Sequence, residues 1–200
     1  MKNLILSIAF AAIILTACNN SINKSTESQN SSNNTQAISQ TDNKKIAASP
    51  TIEAKNAVSI TAIVNAYLQL KNAFTKDNTT EAATAGTALE AVFKNFDKST
   101  LTSAQKKTFE DVVDDAREHA EHIGKNGGNI PHQREHFELL SKDIYDLIKT
   151  FGTGQVLYKD FDQMYNKGKG AYWISEIKEI KNPYMGKAML NSGTVKEILK

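Results

Sequence analysis

Cysteine is almost missing from this chain. Its 200 residues include one, Cys18, so no disulfide can form within the chain. Neither sign of charge is in excess. Lys and Arg number 24 against 22 Asp and Glu, a formal +2. That balance argues against nucleic acid, which needs a basic patch on a basic domain, and it singles out no charged partner. The longest apolar run, residues 4–15 with Ser7 inside it, is too short to cross a bilayer comfortably. There is no internal repeat and no Gly-x-Ser-x-Gly elbow, and Gly152-x-Gly154 lacks the third glycine of a dinucleotide loop. Residues 19–50 contain no aromatic side chain, too little apolar surface to offset the entropy of ordering them.

The first residues read as a signal. Lys2 supplies the positive start, and the apolar run has the length of a signal core. It ends in Leu15-Thr16-Ala17-Cys18, which resembles the lipobox of bacterial lipoproteins. The resemblance implies a signal peptide over residues 1–17 and acyl chains on Cys18, the first residue of the mature protein. An ordinary signal that happens to contain a cysteine is the alternative. Several acyl chains make a stable membrane anchor, since each buried methylene contributes ~0.8 kcal/mol. No acidic residue directly follows Cys18, so the expected location is the outer membrane, facing the periplasm. With Cys18 lipidated, the mature chain has no thiol. Any metal site must then use His, Met, Asp or Glu. Loss of Lys2 takes the formal charge from +2 to +1. The Asn-, Ser-, Thr- and Gln-rich stretch up to residue 50 is expected to be a flexible tether, averaging roughly 30 Å end to end.

Residues 51–200 are expected to form one domain with room for one core. Its expected class is mainly α: an antiparallel four-helix bundle with a C-terminal irregular, short-strand extension packed on it. Ile60, Ile63, Val64, Tyr67, Leu68 and Phe74 keep the helical period over about 57–76. Asn78 with Glu81 opens a second helix, about 79–96, and the capping box of Thr102 and Gln105 opens a third, about 103–124. Pro131, in a first turn where a missing N–H is tolerated, opens a fourth, about 130–151. In the tail, residues 155–158 and 171–174 are expected to be extended, 166–170 and Asn182-Pro183 turns, and 194–199 a last short helix. Its aromatic content (Phe161, Tyr165, Tyr172, Trp173, Tyr184) predicts packing against the bundle.

All four histidines fall in one short stretch: His119 and His122 near the end of the third helix, His132 and His136 at the start of the fourth. Spacings of i,i+3 and i,i+4 each put two side chains on one side of a helix. The turn between the helices brings both pairs to one end of the hairpin. On a helical wheel, His119 and His136 flank the apolar stripes while His122 and His132 point further out. The sequence therefore predicts convergence of two or three imidazoles, and these suit copper and zinc. Caps and surface residues are the plainer account of histidines near helix ends. Met164 stands in a polar loop, and Met185 and Met189 are spaced i,i+4. Thioethers favour Cu(I), although methionine also serves as a core filler. His132-Gln133-Arg134-Glu135-His136 also fits the inverted zincin pattern H-x-x-E-H. That chemistry requires a third ligand, for which Glu176, Glu179 and Glu197 are the candidates and none stands out; no enzyme activity is expected. The loop Lys167-Gly168-Lys169-Gly170 is read as a solvated turn.

The segments Ala116-Arg117-Glu118-His119-Ala120-Glu121-His122-Ile123 and His132-Gln133-Arg134-Glu135-His136-Phe137 resemble the family known as domain of unknown function 3347, common in Bacteroidetes. So do Gly170-Ala171-Tyr172-Trp173-Ile174-Ser175, Ile180-Lys181-Asn182-Pro183-Tyr184-Met185-Gly186 and Ser192-Gly193, with Tyr67-Leu68-Gln69-Leu70-Lys71 fitting its first helix. Domains of this family occur as lipoproteins and fused to periplasmic adaptor subunits of heavy-metal efflux pumps. The resemblance thus implies a role in handling copper or another heavy metal. Two departures matter. The family carries Cys-Pro-Met where this chain has Asp162-Gln163-Met164, and Cys-Gly where it has Ser192-Gly193. If those cysteines are soft-metal ligands, this chain has lost both. The expected function is a metal-binding accessory to efflux. Its ligands would be His119, His122 and His136, with His132, Met164 and Met189 in addition and an oxygen from Asp162, and its partner an efflux adaptor or pump. The alternative is a structural or protein-binding lipoprotein with a degenerate metal site.

Overall fold

The computed structural model describes residues 60–200. The proposed signal, Cys18, the tether and the start of the domain lie outside the described residues. Four long helices, α1 (Thr61–Thr75), α2 (Thr79–Lys94), α3 (Ser103–Lys125) and α4 (Ile130–Phe151), pack each against the next. Short connections force consecutive helices to run antiparallel. The caps are chemical. Asn78 accepts from the Glu81 backbone N–H, and Thr102 and Gln105 form a reciprocal capping box. Pro131 occupies the first turn of α4, whose Asn129 cap accepts from the His132 N–H.

The helices bury one continuous apolar face each. Tyr67 and Phe74 of α1 close on Phe137 of α4 at ring distances of 5.3 and 5.0 Å. The C-terminal part is a three-stranded antiparallel sheet, β1 (Leu157–Asp162), β2 (Ala171–Ser175) and β3 (Thr194–Leu199), in the order β2-β1-β3. Strand β2 packs on α4 and α1. The buried Tyr67 hydroxyl fastens that contact: it meets Ser141 Oγ of α4 at 2.8 Å and accepts from the Ile174 N–H of β2 at 3.1 Å. Trp173 and Tyr184 are buried in the same seam. The expected bundle with a packed extension is therefore the observed architecture.

One element differs from the reading above. Residues 194–199 are strand β3, not a helix. Val195 and Ile198 remain 38 % and 53 % exposed, so no apolar helical face is buried there. The backbone is satisfied instead by antiparallel pairing with β1, from Leu157 with Leu199 to Phe161 with Thr194, with a shift of register between Lys159 and Asp160. Strand β1 also runs further than the short extended piece expected at 155–158. The turn expected at 166–170 is present, with Asn166 and Lys167 at left-handed φ values of 51° and 57°.

Helices α2 and α3 approach closely at Gly86. A Cβ there would lie 2.9 Å from Ala120 O, Gly124 N and Ile123 Cγ2. Two of these are backbone atoms, so α3 itself would have to move. Gly86→Ala is therefore expected to lower stability by about 1–2 kcal/mol, because overpacking outweighs a helix-propensity gain of about 1 kcal/mol. Urea unfolding should show a lower midpoint with an unchanged slope; a raised midpoint would contradict the close packing.

Candidate metal centre

The α3–α4 turn is held by a buried amide. Gln133 has no exposed surface. Its Nε2 donates to Ile123 O of α3 at 3.0 Å and to Thr79 O of α2 at 3.1 Å, and its Oε1 accepts from Thr79 Oγ1 at 2.6 Å. Next to it, Arg134 donates to Pro183 O, Phe74 O and Asp77 Oδ1 at 2.7, 3.1 and 2.6 Å. These two side chains fix the start of α4 against α2, α3 and the α1–α2 turn. They thereby fix His132 and His136 opposite His119 and His122.

The four imidazoles form one cluster. The rings of His122 and His136 stack with centroids 4.4 Å apart, and His132 meets His136 edge-on at 4.7 Å. His122, His132 and His136 each offer a ring nitrogen, and these three atoms lie within 4.8 Å of one another. Among the described residues this is the one group of three or more His, Cys, Asp or Glu side chains so placed. A tetrahedral ion with metal–nitrogen bonds of about 2.0–2.1 Å sets its ligand atoms about 3.3 Å apart. The rings must therefore close in slightly, and His122 must turn out of its stack on His136. Rotation about the last side-chain torsion is soft for histidine. His119 stands behind this trio, with its Nδ1 3.2 Å from Nδ1 of His136.

Carboxylates surround the trio without entering it. Glu118 Oε1 lies 3.6 Å from His122 Nε2, and Glu135 Oε2 lies 3.4 Å from His132 Nδ1. Each stands beside one ring nitrogen, where an outer carboxylate can orient a metal-binding imidazole. The electrostatics favour the neutral form of His136 and His119. Burial, reinforced by His122, His119 and His132, pushes the His136 imidazole down to about 4. Burial also lowers His119, against the opposing pull of Asp115 and Glu118. A neutral imidazole needs no deprotonation before it takes a metal.

The expected thioethers are found on the sheet side of the molecule, in surroundings that include no histidine. Met164 lines a separate cavity of about 250 Å³ together with Phe161, Asp162, Gln163, Ser192, Gly193 and Thr194. Met189 lies on the same turn, its carbonyl accepting from Ser192. Met164 and Met189 are 53 % and 43 % exposed. Asp162 and Ser192, the two positions at which cysteines were expected from the resemblance, are brought together here. Asn182 Nδ2 bridges them, donating to Asp162 Oδ2 at 2.6 Å and to Ser192 Oγ at 2.9 Å, while Asp162 Oδ1 accepts from the Met164 N–H at 2.6 Å. Both Asp162 oxygens are thus engaged in a closed hydrogen-bond knot. Of the carboxylates considered for the zincin pattern, Glu176 is bound by Lys71 and Asn72, Glu197 by Tyr145 and Lys149, and Glu179 is exposed.

The family comparison falls on the helical part. Residues 63–156 match the family described as protein of unknown function (DUF3347). That is the family which the quoted segments resemble. The DUF3347 match spans α1 to α4 with all four histidines and ends at Val156, before the sheet. The later segments, Ala171 to Gly193 among them, lie beyond it. No curated protein and no solved structure matches the chain. Reasoning from the sequence missed Gln133, Glu118 and Glu135 as supports of the cluster. Their signal was their position, each within four residues of a histidine.

Proposed function

We propose that this protein is a lipid-anchored, periplasm-facing module that binds one transition-metal ion on His122, His132 and His136 as an accessory to metal efflux. The observation that carries the reading is the convergence of three imidazole nitrogens within 4.8 Å at the end of a rigidly tied helix hairpin. Three imidazoles without a thiolate suit Cu(II) and Zn(II), and nitrogen donors rank copper above zinc. Cu(I) is less well served, because the trio itself brings neither thiolate nor thioether. Three protein ligands leave a coordination position open, which favours hand-on of the ion over permanent storage. The side chain of His122 is 43 % exposed, so the ion can be reached from solvent. Acyl chains on Cys18 would hold the module at the membrane beside an efflux adaptor or pump.

The test is a titration of the protein, purified in mild detergent, with Cu(II), Cu(I) and Zn(II) against a competing chelator. A His122→Ala/His136→Ala double variant runs beside it. The expected result is one ion bound per chain, Cu(II) tightest, with binding lost in the double variant. A second reading, a protein-binding lipoprotein with a relic site, is favoured by one observation: the Asp162–Asn182–Ser192 knot occupies the positions of the family cysteines. No binding above that of the double variant would decide for it.

A further inference from the structure

The fourth histidine is left over. His119 lies outside the trio, yet its ring is half-buried and its Nδ1 sits 3.2 Å from Nδ1 of His136. Two bare nitrogens would repel at that distance, and so would two N–H groups. One ring must donate and the other accept. The two arrangements are not equivalent for a metal. If His119 donates, neutral His136 accepts at Nδ1 and carries its own proton on Nε2, so both its nitrogens are closed. If His136 donates, its proton is on Nδ1 and Nε2 is bare and ready to coordinate.

We propose that His119 is a positioning residue and not a ligand: it accepts the Nδ1–H of His136 and so locks His136 in the tautomer that presents Nε2 to the ion. This rests on the metal-binding reading above. The other rings of the trio have carboxylates nearby, Glu118 at His122 and Glu135 at His132. His136 has no such contact shorter than its contact with His119, which does the same work with a neutral acceptor. The geometry also explains the position of His119. It lies one turn before His122, deeper along the seam, where its ring packs against His136 at a centroid distance of 5.4 Å.

The test uses His119→Ala and His119→Asn. The asparagine Oδ1 stands near the position of a histidine Nδ1 and can accept the same hydrogen bond, but it is a poor ligand for copper. With Cu(II) as probe, His119→Ala is expected to weaken binding about 10- to 100-fold, the usual cost of removing an outer-sphere partner. His119→Asn should restore it to within a few-fold. Nitrogen hyperfine structure in the electron paramagnetic resonance spectrum should count three imidazoles in all forms. A count of four that drops to three in both variants would overturn the proposal by making His119 a ligand, and so would unchanged affinity in His119→Ala. A second readout needs no metal. Long-range ¹⁵N–¹H correlation should find His136 protonated on Nδ1 in the unmodified protein and in His119→Asn, and mixed in His119→Ala. An Nε2-protonated His136 in the metal-free protein would overturn the inference. Failure of the unmodified protein to bind copper, with the Nδ1 tautomer present, would instead overturn the metal reading.

Discussion

His136→Ala is expected to lower metal affinity by roughly 1,000-fold, about 4 kcal/mol, more than any other single substitution at the site. His136 is the hub of the cluster: it stacks on His122, meets His132 edge-on and pairs with His119. On the proposed reading its loss removes a ligand and leaves His119 without its partner. The metal-free protein should respond in the opposite sense as pH falls. Burial and the neighbouring imidazoles hold His136 down to about 4, well below the ~6.5 of an unfolded histidine. The unfolded chain therefore takes up a proton first. The stability associated with neutral His136 is complete above about pH 6.5 and is lost as pH falls from there towards 4. Without the imidazole this loss disappears. The metal-free variant should thus gain on the unmodified protein between pH 7.5 and pH 5. Chelator competition at pH 7.5 and urea unfolding at both pH values check the two halves. Affinity within threefold of the unmodified protein would remove His136 from the ligand set.

The helices were legible because their signals are local. The apolar stripes have one period, and Asn78, Thr102 with Gln105, and Pro131 are caps whose partners lie within three residues. The histidine cluster was legible for the same reason, since one short turn separates its halves, but the wheel ranked His119 ahead of His132, whereas the three converging nitrogens are those of His122, His132 and His136. What the sequence leaves open is non-local. Whether the Met164 loop lands beside the histidines depends on how the sheet sits on α4, and no local pattern encodes that. Strand β3 has a similar cause. Thr194, Val195 and Ile198 suit a strand, but only the presence of β1 as a partner decides between the two forms. The polar interior is legible only in part. Lys71 lies on the stripe of Tyr67 and Phe74 at helical spacing, so its burial follows from the wheel, whereas its partner Glu176 does not.

That buried lysine gives the largest expected effect on stability. Lys71 has no exposed surface, and its Nζ meets Glu176 Oε2 at 2.8 Å. Nearby, Asp160 is fully buried with neither carboxylate oxygen hydrogen-bonded to protein, and its cross-strand neighbour Trp173 has an unpaired Nε1. Burial pushes Asp160 up to about 7, and the attraction of Lys71 pulls the other way. Burial would also raise Glu176, but hydrogen bonds from Lys71 and Asn72 more than offset it and hold the carboxyl below its usual range. One cation thus serves two carboxylates. Lys71→Met keeps most of the volume and removes the charge, and is expected to cost about 3–5 kcal/mol at pH 8.5, the usual cost of breaking one side of a buried pair. The sign of the pH dependence is set by Asp160. Its folded value lies above the unfolded ~3.9, so its stabilising, protonated form is complete below about pH 4, and that contribution is lost as pH rises through about 7. Without Lys71 its value climbs further. The deficit of Lys71→Met should therefore be largest at pH 8.5 and smaller at pH 5.5, where Asp160 holds its proton. Adding Asp160→Asn to Lys71→Met should recover about 1–2 kcal/mol at pH 8.5 and little at pH 5.5, a coupling between contacting groups that a double-mutant cycle reads directly. Equal deficits at the two pH values would mean that Asp160 does not feel Lys71, and that Glu176 alone answers the buried charge.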